Sequence, residues 1–171
     1  LVSHGDTRDA LAYIADAAPT LTARPASDTR LGPSVVGASL EALRAEVAAL
    51  GAHLEVQVDR DLPVDETVLV VLANLCRNAA EAGASRVRCT LSQIGDRLHG
   101  AVDDDGPGLD ANDVERAFSV GHSSKPDVTG TGRGLGLGLV RRAVAERGGE
   151  VTVSRSAWGG ASFSFEMAVP R

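Results

Sequence analysis

Between Val64 and Ala82 the sequence reads as one long helix with two chemically different faces, and that helix constrains everything around it. At about 100° per residue, Val68, Leu72, Leu75, Cys76 and Ala79 fall on one arc and require burial against a second layer. Asn74, Asn78 and Glu81 fall within about 60° of each other on the opposite arc. Asparagine is a poor helix former, so two of them one turn apart call for a reason. Two readings fit this arc. It is a solvated polar face, or it is a ligand face, since an Asn carbonyl is a neutral oxygen ligand suited to Mg²⁺ that already holds waters and phosphates.

The segments around this helix predict the second layer. His53–Val58 alternates Leu54, Val56 and Val58 with polar residues, a strand pattern. Arg86–Ile94 and Leu98–Val102 read as two strands joined at Gly95-Asp96, and Val151–Arg155 and Ser162–Val169 as a hairpin around Trp158-Gly159-Gly160. Helical spacing recurs in Thr7–Leu21, Ser34–Leu50 (stopped by Gly51), Asp110–Phe118 and Leu135–Arg147. Ala23–Gly32 is polar and carries Pro and Gly, as a linker does, and Val120–Arg133 is too long and aperiodic for a plain connector. The tally predicts an α+β fold, a two-layer α/β sandwich with helices on one face of a mixed, mostly antiparallel sheet. A chain of 171 residues suits one such domain. With only three Phe, one Tyr and one Trp, its core must be built from Ala, Val and Leu.

Two further segments carry chemistry. Val102-Asp103-Asp104-Asp105-Gly106-Pro107-Gly108 places three mutually repelling carboxylates at a strand end, followed by glycines that let backbone approach a ligand. A carboxylate there can accept a hydrogen bond from an exocyclic amino group such as adenine N6, and an ordinary Asp/Gly turn is the other reading. A calcium loop would need later Asp and Glu ligands at alternate positions, which are missing. Thr129–Gly138 alternates Gly with other residues and runs into a helix, exposing N–H donors as an anion site does; a flexible connector is the alternative. No register of it gives Gly-x-Gly-x-x-Gly, and the Gly-Lys-Ser/Thr of a P-loop is absent.

Composition narrows the field further. A net charge of −6 argues against nonspecific nucleic-acid binding, so no nucleic-acid partner is expected. Cys76 and Cys89 lack ligand-like spacing and read as buried, reduced thiols. No apolar run approaches the about 20 residues needed to span a bilayer, so no membrane contact is expected of this segment. Starting at Leu1 without a methionine, the sequence reads as a piece of something longer.

An Asn-bearing helix, then D-D-G-P-G, then a long polar loop, then G-R-G-L-G-L, resembles the superfamily of gyrase, ATP-dependent heat-shock chaperones, histidine kinases and the mismatch-repair protein MutL. The resemblance covers about Val64 to Val169 and implies a Bergerat-type ATP-binding fold with ATP and Mg²⁺ as cofactors. Within it, N-L-C-R-N-A-A-E-A (Asn74–Ala82) is similar to the N-box of sensor histidine kinases. Gyrase-like members carry a water-activating glutamate four residues before the second Asn; Asn74 stands there in this chain, favouring phosphotransfer over hydrolysis.

By position, the resemblance implies that Asn78 coordinates Mg²⁺, that Asn74 lies beside the phosphates, and that Asp104 binds the adenine amino group in a pocket shaped by Gly106 and Gly108. R-A-F-S-V-G-H-S-S-K (Arg116–Lys125) resembles the lid around Phe118, with Ser123, Ser124 and Lys125 near the triphosphate. Gly132, Arg133, Gly134, Leu135 and Gly136 match the second glycine box, and Gly159-Gly160 the last glycine turn. Where many kinases carry Lys three residues after the Mg-binding Asn, this chain has Glu81. That N-A-x-E-A ending is similar to the citrate and C4-dicarboxylate sensor kinases, and Glu81 is a candidate catalytic residue that orients the attacking imidazole or a Mg-bound water.

In the same subgroup, L-V-S-H-G-D-T-R-D-A-L-A-Y-I is similar to the turn and second helix of a dimerisation hairpin. The implied organisation is a hairpin remnant over 1–22, a linker over 23–32 and a catalytic domain over 33–171. The phosphoacceptor histidine is then expected upstream of Leu1, with His4 as a turn residue. Implied partners are a response regulator and, in the full-length kinase, a second copy; the implied location is the cytoplasmic part of a membrane-anchored sensor. The competing readings are a superfamily ATPase, a serine kinase of the anti-sigma kind, and a non-catalytic docking module.

Overall fold

The structure, a computed structural model, describes residues 30–110, 113, 114, 118 and 135–171. The expected helix Thr7–Leu21, most of Asp110–Phe118 and the loop Val120–Arg133 lie outside the described residues. The described chain runs α1 (Pro33–Ala49), β1 (His53–Val58), α2 (Glu66–Glu81), β2 (Arg86–Ile94), β3 (Arg97–Asp104), α3 (Leu135–Glu146), β4 (Glu150–Arg155) and β5 (Ala161–Ala168). The strands form one sheet in the order β1-β2-β3-β5-β4. β1 pairs parallel with β2 across the α2 crossover, and every other pairing is antiparallel. This is the mixed, mostly antiparallel sheet that the strand patterns predict.

Period-two alternation decides which face is covered. Val87, Cys89 and Leu91 of β2, Leu98 and Val102 of β3, and Phe163, Phe165 and Met167 of β5 are buried on the helix side. Their neighbours Arg88, Thr90, His99, Ser162 and Ser164 occupy the other, polar face. α2 is the central helix. It packs on β2 and β3 and is flanked by α1 and α3, and nine of its residues are buried, including Val68, Leu72, Leu75 and Cys76 from the expected apolar arc. Cys76 and Cys89 are free thiols between α2 and β2, and the hydrogen bond between them, together with burial, pushes the Cys76 thiol up.

Two features of the frame were not visible in the pattern. Asp65 is the N-cap of α2, its Oδ1 accepting from Val68 N at 3.0 Å. Its Oδ2 pairs with Arg147 Nη1 at 2.6 Å, and Arg147 Nη2 donates to the Ala168 carbonyl at 2.7 Å. One buried carboxylate thus ties the start of α2 to the end of α3 and the end of β5. The second feature concerns β3, which continues through Asp103 and Asp104 instead of stopping at Val102. The ladder to β2 pairs Asp104 with Val87 and Asp103 with Arg88, so pairing overrides the poor strand propensity of aspartate.

Candidate nucleotide site

The extension of β3 separates the three carboxylates. On a strand, adjacent side chains point to opposite faces, so Asp104 enters the helix-side layer and Asp103 lies on the polar face. Asp104 is 4% exposed. Its Oδ1 accepts from Gly106 N at 2.8 Å and from Ala161 N at 3.2 Å. Among the described residues both bonds fall on one oxygen, which leaves Oδ2 as an acceptor for a ligand. Burial raises the Asp104 carboxyl above the usual aspartate range, with Asp105 and Asp103 adding repulsion and the two amides opposing. Asp105 does a different job. Its Oδ1 accepts from Ser85 N at 2.8 Å and Arg86 N at 2.9 Å, tying the strand end to the start of β2, and the Arg86 amide leads in holding its carboxyl below the usual range. Mutual repulsion at this strand end is therefore offset for Asp105 by the two backbone donors that its carboxylate holds.

Glycines shape this end because backbone must come close. A Cβ placed on Gly160 would stand 2.2 Å from Asp104 Oδ1, 2.4 Å from Asp104 O and 2.7 Å from Gly106 N. One on Gly106 would stand 3.0 Å from Asp104 Oδ1 and 3.5 Å from Ala84 N, which places the D-D-G-P-G loop against the chain just beyond α2. One on Gly108 would meet the Gly160 carbonyl at 3.5 Å. Ser156, buried, donates from Oγ to Asp104 O at 2.5 Å. The structure thus adds Ser156, Ala84 and the Ala161 amide, none of which carried a signal in the sequence: each acts through main chain or through a contact made far along the chain.

At the other end, Asn74 meets α3. Its Nδ2 donates to the Val70 carbonyl at 2.8 Å, and its Oδ1 would stand 3.1 Å from a Cβ on Gly136. A side chain at 136 would press on the carboxamide, so glycine brings the first turn of α3, where unpaired N–H groups gather, up to the Asn face of α2. Leu135 is the first residue of that helix. Asn78 and Glu81 are half-buried, one and two turns further along α2. At 1.5 Å per residue, Asn74 lies about 10 Å and Asn78 about 4–5 Å along the axis from Glu81, where α2 ends, and the Ala84 amide turns back to the Ala79 carbonyl. Phe118 is 7% exposed and packs edge-on against Phe163 with ring centroids 6.0 Å apart. Ser123, Ser124, Lys125, Gly132, Arg133 and Gly134 lie outside the described residues.

Comparison with known proteins points the same way. The family model described as "Histidine kinase-, DNA gyrase B-, and HSP90-like ATPase" matches residues 64–171. The sensor protein CitS of Halalkalibacterium halodurans is 34% identical over 104 residues, covering 57% of this chain and 19% of that protein. The sensor protein kinase CarS of Pseudomonas aeruginosa is 33% identical over 126 residues, covering 71% of this chain and 28% of that protein. This chain thus spans less than a third of the length of either. Among solved structures, the catalytic domain of histidine kinase ThkA superposes with a TM-score of 0.67 at 21% identity, covering 82% of this chain and 95% of that one, a likeness of fold.

Proposed function

This chain belongs to the histidine kinase-, DNA gyrase B- and HSP90-like ATPase family and is a histidine kinase ATP-binding domain, and on that premise we propose how it holds its nucleotide and what it does with it. ATP lies along α2, with its base at the Asp104 end and its triphosphate at the Asn74–Gly136 end. The γ-phosphate passes to a histidine side chain for relay to an aspartate of a response regulator. The observation that carries this reading is the buried Asp104 carboxylate, fixed through Oδ1 by two amides so that Oδ2 is presented to an exocyclic amino group.

Residue roles follow from chemistry. Oδ2 of Asp104 accepts from adenine N6 and disfavours guanine, whose carbonyl would face it. The first amides of α3, Leu135 and Gly136, meet phosphate oxygens as helix N-termini do. Asn78 would hold Mg²⁺ through its carboxamide oxygen, and the bound ion supplies charge neutralisation at the phosphates. Asn74, whose nitrogen is committed to Val70, offers no base to activate water, which supports transfer over hydrolysis. Glu81 orients the attacking imidazole, which as a neutral ring is already nucleophilic. Ser123, Ser124, Lys125, Gly132, Arg133 and Gly134 complete the phosphate end. Transfer is in line, and the domain's share of catalysis is positioning and charge stabilisation.

In the same reading residues 33–171 are the catalytic domain, 23–32 a linker and 1–22 part of a dimerisation hairpin, and the parent kinase is a homodimer with this domain on the cytoplasmic side of a membrane. No described helix is long and apolar enough to cross one. Titration with a non-hydrolysable ATP analogue, with Mg²⁺ and with chelator, tests the core claim. Wild type should bind in a Mg²⁺-dependent way and Asp104→Ala should not; no wild-type binding, or equal binding by the variant, overturns it.

A further inference from the structure

Trp158 is the one tryptophan of the chain, and it lies in the β4–β5 turn beside the base end of the site. Its ring is reached from two strands away. Arg86 Cζ lies 4.1 Å and Arg88 Cζ 4.4 Å from the ring centroid, although β2 is separated from β5 by β3. The turn therefore folds across the end of β3 on the polar face that carries Arg88, with the Asp104 side chain on the other face. Both arginines stand on a fixed platform. The Arg86 amide is bonded to Asp105, and the Arg88 guanidinium is also paired with Glu55 at 3.3 Å.

From the turn the path to Asp104 is short and runs through main-chain amides and the Ser156 hydroxyl. Trp158 N donates to Ser156 Oγ at 3.1 Å, and Ser156 Oγ donates to Asp104 O at 2.5 Å. Ser156 N donates to Gly160 O at 2.9 Å, and the next residue, Ala161, supplies an amide to Asp104 Oδ1. We propose that Trp158, held by Arg86 and Arg88, is a positioning residue for nucleobase selection: it sets the turn that orients the Asp104 carboxylate. The ring touches no nucleotide in this scheme. It fixes the direction of Oδ2, which is what distinguishes an amino group from a carbonyl on the base. Loss of the ring frees the turn, lets the carboxylate rotate towards water, and lowers discrimination more than it lowers folding. The proposal rests on the nucleotide-binding reading above.

The test uses residues 1–171 with Mg²⁺ and non-hydrolysable analogues of ATP and GTP, together with thermal unfolding without nucleotide. If wild type binds no ATP analogue, the nucleotide-binding reading itself fails. If wild type binds, Trp158→Ala should raise the Kd for the ATP analogue about five- to tenfold and lower the preference for ATP over GTP by a similar factor. Trp158→Phe, which keeps a ring for the guanidinium groups, should restore both to within about twofold. An Arg86→Gln/Arg88→Gln double variant retains the indole and should follow Trp158→Ala; it also decides the matter if the alanine variant does not fold. Equal weakening of both analogues with the preference unchanged, or no change at all, would overturn the proposal.

Discussion

Gly160→Ala is the perturbation that most directly probes how the base end is built. The added methyl would sit within 3 Å of three heavy atoms, two of them backbone, so no side-chain rotation relieves it. Restoring ordinary contact with Asp104 Oδ1 from 2.2 Å requires a shift of about 1 Å in the turn or in the end of β3. Overpacking of this kind costs about 1–3 kcal/mol. The shift also stretches the 3.2 Å bond from Ala161 N, and a buried carboxylate short of one amide costs about 1–3 kcal/mol more. The expected loss is about 2–6 kcal/mol, a fall in melting temperature on the order of 5–20 °C for a domain of this size. Gly159→Ala is the internal control. Gly159 has φ +91° and nothing within 4 Å of an added Cβ, so the substitution carries backbone strain alone, about 1–2 kcal/mol. Thermal unfolding and ATP-analogue titration of both variants give the comparison. Gly160→Ala should weaken the analogue by more than about tenfold and Gly159→Ala by less than about threefold. If the two variants behave alike, or Gly159→Ala is the worse, the close approach of Gly160 to Asp104 is not what holds the site.

Two further outcomes are expected. Because burial raises the Asp104 carboxyl, the folded state binds its proton more tightly than the unfolded chain does, and this group's contribution to stability falls as pH rises from about the ordinary 3.8 through the raised value. Ionised Asp104 is then a cost at neutral pH, so Asp104→Asn should melt no lower than wild type at about pH 7 while losing about 10- to 100-fold in ATP-analogue affinity. The stability difference should shrink as pH is lowered, and a variant clearly less stable than wild type at neutral pH contradicts it. Breaking the tie between α2 and α3 should cost more than any surface pair. Asp65→Asn keeps an acceptor for the Val68 amide but strands Arg147, whose side chain is 9% exposed, and should lose about 3–5 kcal/mol in denaturant unfolding. Arg147→Met in the same chain should recover part of that loss, and additive losses from the two changes would mean that the pair is not coupled.

The elements legible in the sequence are those whose signal is local. β1 and β2 run over the residues their alternation marks, and α2 buries the arc its spacing marks. Asn74 and Asn78 are legible as a pair because four residues on a helix is a spatial neighbour distance, whereas the glycines mark an aspartate-rich strand end without saying which aspartate matters; only the resemblance singles out Asp104. β3 runs two residues past the end of its local pattern because two aspartates look like a turn until β2 and β5 are present to pair with them. Gly100 gave no hint that the Phe165 ring of β5 fills the place of its missing side chain, where a Cβ would stand 2.3 Å from the ring. Ser156, Arg147 and the Arg86–Arg88–Trp158 cluster were unreadable for the same reason: each meets its partner at least 20 residues away along the chain.

What the sequence determined by itself, then, was an inventory: a two-faced helix, five strands, and an ordered set of Asn, Asp and Gly residues that resembles one superfamily. The tertiary structure decided which residue of the inventory does what. Three consecutive aspartates are equivalent as text, but a strand sends neighbours to opposite faces and ends at a turn. One is therefore left on the polar face, one is buried and raised against glycine backbone, and one is spent on two amides of the adjacent strand. That division depends on strand register and on close backbone approach, which are properties of packed elements and have no counterpart in local spacing.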